Sequence, residues 1–239
     1  MNGPVPHDHD RRVLLEVCVD SIAGLEAAER GGAQRIELCS DLEVGGLTPG
    51  VELLEAARAR TELPLFVMVR PRPGGFVVTP GELVVMAAEI ERMMRVGADG
   101  IVLGALLSTG SIDVEATGRL VERARPLPVT FHRAFDACPD PEDALEQLMA
   151  LGIERVLTSG RASTAEEGIA LLARLIERAG ERIVVMPGGG VRATNVRRIV
   201  EATRAHEIHS SARRQERPGV TEEEEVRGIA EAVRGRGRR

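Results

Sequence analysis

The chain has no lysine, no tryptophan and no tyrosine, and only four phenylalanines among its 239 residues. Each absence excludes something. Without a primary amine on any side chain, Schiff-base chemistry of the lysine aldolase kind is ruled out by residue type. With a net charge of −6 and almost no rings on which bases could stack, both of the forces that hold nucleic acids are weak, and no nucleic-acid partner is expected. No apolar run approaches the roughly 20 residues of a membrane helix, so no membrane partner is expected. The three cysteines, Cys18, Cys39 and Cys138, are odd in number and lack disulfide-framework spacing, which fits free thiols in a reducing compartment. Residues 1–12 are polar, carry the run His7-Asp8-His9-Asp10, and lack the apolar centre of a signal peptide. A cytoplasmic protein with a flexible tail at 1–12 and a disordered one at 235–239 is expected.

What remains is aliphatic and periodic. The segments Gly31-Gly32-Ala33-Gln34-Arg35-Ile36-Glu37-Leu38, Gly97-Ala98-Asp99-Gly100-Ile101-Val102-Leu103 and Gly152-Ile153-Glu154-Arg155-Val156-Leu157 share one plan: glycine, a small or apolar residue, a polar pair, an apolar run. Glycine suits the left-handed residue that ends a helix, and the apolar run suits a parallel strand covered on both faces. In that register strands fall near 13–18, 35–39, 65–70, 100–104, 128–133, 155–158, 183–186 and 206–210. Helices fill the gaps, near 21–30, 49–59, 80–96, 113–124, 141–151, 164–179, 192–203 and 222–234, with start signals at Ser21, Thr79-Pro80, Asp140-Pro141 and Thr221-x-x-Glu224. Strict alternation, eight times, predicts an α/β protein of one domain, a (βα)8 TIM barrel over residues 13–234. An open doubly wound sheet is the alternative, since alternation alone does not prove closure.

In a barrel of this kind chemistry sits where the strands end, and these ends are polar. Glu16 and Cys18 share one face of the first strand, and Glu37 and Cys39 one face of the second, because side chains alternate with a period of two. The glutamates read either as structural carboxylates neutralised by Arg70, Arg72 or Arg133, or as acid and base. His132, with Thr130, ends the fifth strand and reads as a hydrogen-bonded core histidine or as a general base. Cys18 and Cys39 are buried fillers or, at neighbouring strand ends, ligands for a soft monovalent metal, with the caution that adjacent barrel strands feed different layers. A tetrahedral zinc site is not expected, because His132, His206 and His209 come from distant strands. Gly188-Gly189-Gly190 ends strand seven and opens the next helix, and Ser210 ends strand eight; the triplet makes a tight turn or, with Gly189, Gly190 and Ser210, an anion site.

The blocks Leu15-Glu16-Val17-Cys18-Val19-Asp20-Ser21, Arg35-Ile36-Glu37-Leu38-Cys39, Gly45-Gly46-Leu47-Thr48-Pro49, Val69-Arg70-Pro71-Arg72, Pro128 to Asp136, Val156-Leu157-Thr158-Ser159-Gly160 and His209-Ser210-Ser211-Ala212-Arg213 stand in order along the chain. Together they closely resemble the CutC family of copper homeostasis proteins, over about residues 13 to 213. The resemblance implies the (βα)8 fold, a cytoplasmic location and copper(I) as ligand, with Cys18 and Cys39 as its donors. The chain departs from the family after Arg213, where the stretch before the last helix is brief. Two functions are carried forward: a copper-binding protein, and an enzyme, a lyase or isomerase, acting on a small anionic or phosphorylated metabolite with Glu16, Glu37 or His132 as acid and base and Arg70 stabilising negative charge. A homo-oligomer is plausible for such a barrel.

Overall fold

The computed structural model describes residues 13–213 and 219–234. The expected tails at 1–12 and 235–239, and most of the brief stretch after Arg213, lie outside the described residues. Eight parallel strands alternate with eight helices: β1 (Leu14–Val19), α1 (Ile22–Gly31), β2 (Arg35–Leu38), α2 (Val51–Arg58), β3 (Leu65–Met68), α3 (Pro80–Val96), β4 (Gly100–Leu103), α4 (Val114–Ala124), β5 (Val129–Phe131), α5 (Pro141–Ala150), β6 (Arg155–Thr158), α6 (Ile169–Ala179), β7 (Val184–Pro187), α7 (Val196–Thr203), β8 (Glu207–Ser210) and α8 (Glu223–Val233). The ladder runs without a break from β7 through β1 to β8, and β7 packs beside β8 to complete the ring. The sheet is the predicted (βα)8 barrel and not an open one.

Local signals explain where the helices begin and end. Ser21 caps α1 by accepting the Gly24 N–H, Thr79 and Glu82 form a reciprocal capping box on α3, and Asp140 caps α5 ahead of Pro141. Gly32 and Gly97 take the left-handed conformation that ends α1 and α3. The expected cap at Thr221 is not formed. Glu222 donates its N–H to the Ala212 carbonyl, the helix starts one residue later, and the buried Thr221 hydroxyl has no partner. The glycine triplet also differs from expectation. Arg192 N–H turns onto the Asn195 side chain, so α7 starts at Val196 and Gly188-Gly189-Gly190 does not open it.

Two cores result. Leu15, Val17, Val19, Ile36, Leu38, Leu65, Val67, Ile101 and Leu103 point outward into the main apolar cluster beneath the helices. Each side chain of this size contributes roughly 1.5–3 kcal/mol when fully buried. The inward residues are different in kind: Cys39, Phe66, Met68 and Val102 form a small separate cluster inside the ring, and the rest of the lumen is polar.

Candidate functional site

The lumen is organised in two levels. At the lower level Arg35 opens β2 and Arg155 opens β6, and both guanidinium groups lie against the Phe66 ring, 4.9 and 5.2 Å from its centre. Gly100 leaves room for that ring, because a Cβ there would stand 2.6 Å from it. Arg155 Nε donates to Glu207 at 2.6 Å and its Nη1 to Thr130 at 3.3 Å. Arg35 bridges Glu207 and Glu16. Glu16 passes the chain upward by accepting from His209 Nδ1 at 2.7 Å.

This corrects the expected partner of Glu16. The cation is Arg35, from the start of β2, and not Arg70, Arg72 or Arg133. Burial alone would raise the Glu16 carboxyl, but Arg35 and His209 outweigh it and bring it down to about 2. Glu16 is thus a fixed anion in a closed ionic layer.

At the upper level Cys18 stands beside Glu37 in the β1–β2 register, and His209 stands beside Glu16 in the β1–β8 register. Donor atoms of Cys18, Glu37 and His209 lie within 4.8 Å of one another, all buried. Burial opposes a charge on His209, yet the nearby Cys18 and Glu37 and the hydrogen bonds with Cys18 and Glu16 raise it well above its ordinary value. Among the described residues Glu37 makes no ion pair with an arginine, and Arg35 acts on it only at longer range. Burial pushes its carboxyl up to about 7, and Oε2 makes no hydrogen bond. The two glutamates that looked alike in sequence therefore have opposite environments.

Cys39 is two residues farther along β2 than Glu37, roughly 7 Å at strand rise. Its Sγ faces the Val19 carbonyl at 3.5 Å, within the cluster of Phe66, Met68 and Val102. Burial pushes this thiol far up, and the neighbouring Cys18 adds to the shift. The thiols are offset along the axis but near enough to interact. Cys138 is buried with the main core, away from both.

Above these groups opens a cavity of about 450 Å³, lined among others by Cys18, Glu37, Met68, Arg70, His132 and His209. The loop Gly45-Gly46-Leu47-Thr48-Pro49 builds one wall. Thr48 N–H and Oγ1 both donate to the Arg70 carbonyl, and Thr48 Oγ1 accepts the Arg70 N–H at 2.9 Å. The Arg70 guanidinium then donates to the carbonyls of Val44, Gly46 and Gly74. Arg133, Arg72 and Arg213 are committed to Asp136, Glu82 and Asp20. Gly189, Gly190 and Ser210 do line the cavity. Ser210 Oγ, however, donates to the Val191 carbonyl and accepts the Ala212 N–H, so its hydroxyl is already satisfied.

Residues passed over in the sequence complete the picture: Arg35, Arg155 and Glu207 form the floor, and Met68 and Phe76 line the mouth. A signal existed for the floor, since two arginines and a glutamate open β2, β6 and β8 at inward positions.

A (βα)8 barrel with a closed ionic floor and a thiol-bearing polar mouth defines the class. The sequence model of the CutC family matches residues 13–214, and the chain belongs to the CutC family. It is 54% identical over 200 residues to the copper homeostasis protein cutC homolog of Homo sapiens, covering 84% of this chain and 73% of that protein. It is 49% identical over 199 residues to the family protein CutC of Xanthomonas campestris pv. campestris (strain B100), covering 83% of each. The crystal structure of CutC from Streptococcus agalactiae superposes with a TM-score of 0.80 at 35% identity, over 83% of this chain and 98% of that one. N-(5'-phosphoribosyl)anthranilate isomerase from Pyrococcus furiosus, at 15% identity and a TM-score of 0.61 over 92% of this chain and 98% of that one, shares the fold.

Proposed function

We propose that this protein acts in copper homeostasis by binding copper(I) through Cys18 and Cys39. The observation that carries the reading is the pair of free thiols inside the lumen at the ends of β1 and β2, with Cys18 close enough to act on Cys39 electrostatically. Thiolate is the preferred donor for a soft monovalent cation, and the cation would offset the burial and the Cys18 repulsion that push the Cys39 thiol up. Met68 packs with Cys39 and lines the same cavity as Cys18, adding a soft thioether. Glu37 and His209 set the charge around the sulfurs. The names of the human and streptococcal relatives support the same reading, and free thiols accord with a reducing cytoplasm.

Copper(I) bound per chain, measured anaerobically under reducing conditions for wild type, Cys18→Ser and Cys39→Ser, tests it. Wild type is expected to bind and each variant to lose the ion or most of its affinity; equal stoichiometry in all three removes the reading.

A second reading, an enzyme working by proton transfer on a small anionic metabolite, is favoured by one observation. Glu37 Oε2 and His132 Nε2 are buried, face one cavity and have no protein partner. Turnover abolished by Glu37→Gln would support it once a substrate is found.

A further inference from the structure

Beside the copper reading, and independent of it, the end of β3 carries an unbalanced cation in the cavity wall. Arg70 is 8% exposed and lines the mouth. Three carbonyls occupy its terminal nitrogens, but carbonyls satisfy N–H groups and not a net charge, and among the described residues no carboxylate meets it. Its Nε is buried and, among the described residues, has no acceptor. A buried charge that is not neutralised is costly, and the arginines nearby do have their acids.

His132, 4% exposed, stands next to it. The Arg70 guanidinium lies 4.9 Å from the centre of the Phe76 ring, and the His132 ring centre is 5.1 Å from that of Phe76. The Ala134 N–H donates to His132 Nδ1 at 3.2 Å, so Nδ1 holds a lone pair and the neutral ring carries its proton on Nε2. Burial and the Arg70 charge keep the ring neutral, with its value lowered to about 3. Nε2 is therefore a donor, and it too is buried without an acceptor. Gly104 makes room for this ring, since a Cβ there would stand 2.4 Å from it.

We propose that Arg70 Nε–H and His132 Nε2–H together form a binding site for a small oxyanion, the carboxylate or phosphate end of a metabolite held in the barrel mouth. Two orphan N–H donors, one of them charged, match two oxygens of such a group. The cavity of about 450 Å³ lies in the range of small-molecule sites, and Phe76, Met68 and Leu157 offer apolar surface for a carbon body. The site uses the β3 and β5 ends, not the glycine loop where the sequence suggested an anion, and it uses neither cysteine.

Titration of the full chain with inorganic phosphate and, separately, malonate, followed by calorimetry and by nitrogen NMR of ¹⁵N-labelled histidine, tests it. Saturable binding of at least one probe, with movement of the His132 Nε2–H resonance, is expected; phosphate alone points to a phosphorylated ligand and malonate alone to a carboxylate, and either supports the site. Arg70→Gln and His132→Phe should each weaken binding by about tenfold or more, and Ser210→Ala should leave it unchanged. Because Arg70 also holds the Gly45–Thr48 loop, the wild-type resonance decides the matter if Arg70→Gln does not fold. The proposal is overturned if neither probe binds saturably, or if binding leaves the His132 resonance still and survives both wall substitutions. Copper stoichiometry, measured on the cysteine variants, is a separate outcome.

Discussion

The two levels of the lumen use the same residue types to opposite ends. In the floor every charge has its counterpart: Thr130, Arg155, Glu207, Arg35, Glu16 and His209 form one connected chain of hydrogen bonds. One turn of side chains higher, Glu37, Arg70 and His132 each keep a buried polar atom without a partner. Satisfied networks fix a structure, whereas orphaned groups cost stability and persist where a ligand completes them. The floor reads as scaffold and the mouth as the place where something binds.

That contrast can be broken most directly at the floor. Arg35→Leu strips Glu16 and Glu207 of a shared cation and should destabilise the protein by about 3–5 kcal/mol in urea unfolding. Glu37→Gln at neutral pH should cost less than about 1 kcal/mol or stabilise, since it removes a carboxyl for which burial outweighs the attraction of His209 and Arg35. Equal losses in the two variants would erase the distinction.

The pH dependence should separate the same two glutamates by sign. Glu16 titrates lower in the folded protein than at its usual 4.5, down to about 2. Its contribution, on the order of 3 kcal/mol, is present above pH 4.5 and lost as the pH falls through 2. Glu37 is raised to about 7, so its contribution is present below 4.5 and lost as the pH rises through 7. Stability profiles of Glu16→Gln and Glu37→Gln should flatten the acid limb in the first case and the pH 4.5–7 decline in the second.

Smaller effects sharpen the comparison. Gly100→Ala presses on Phe66 and Gly104→Ala on His132, each costing about 1–3 kcal/mol by overpacking. Only Gly104→Ala should also move the His132 Nε2–H resonance. Smallest of all, the exposed ladder of Glu142 and Glu146 with Arg174, Arg178 and Arg182 should leave the urea midpoint nearly unchanged when Glu146→Ala is made, with any loss vanishing in high salt.

Much of this barrel was legible because its signals are local. Apolar runs, capping residues such as Ser21 and Asp140, and the glycine after α3 act within a few residues of one another. The signals that misled were local patterns overruled at longer range. The Thr221 pattern lost to a hydrogen bond between Glu222 and Ala212, and the glycine triplet lost its helix to the Arg192–Asn195 turn. Glu16 and Glu37 have equivalent sequence surroundings, yet of the two Arg35 hydrogen-bonds only Glu16, because it lies level with Glu16 across the β1–β2 ladder.

From the order of its residues alone, the chain determined eight βα units, an inward face carrying Glu16, Cys18, Glu37 and Cys39, and the exclusion of lysine chemistry, since alternation and residue type need no knowledge of the far end of the chain. Only the closed ring decided which carboxylate is neutralised, how the two thiols are staggered, and that Arg70 and His132 share a wall. Those facts depend on register and shear around the barrel, which bring residues more than a hundred positions apart, such as Glu16 and His209, into contact.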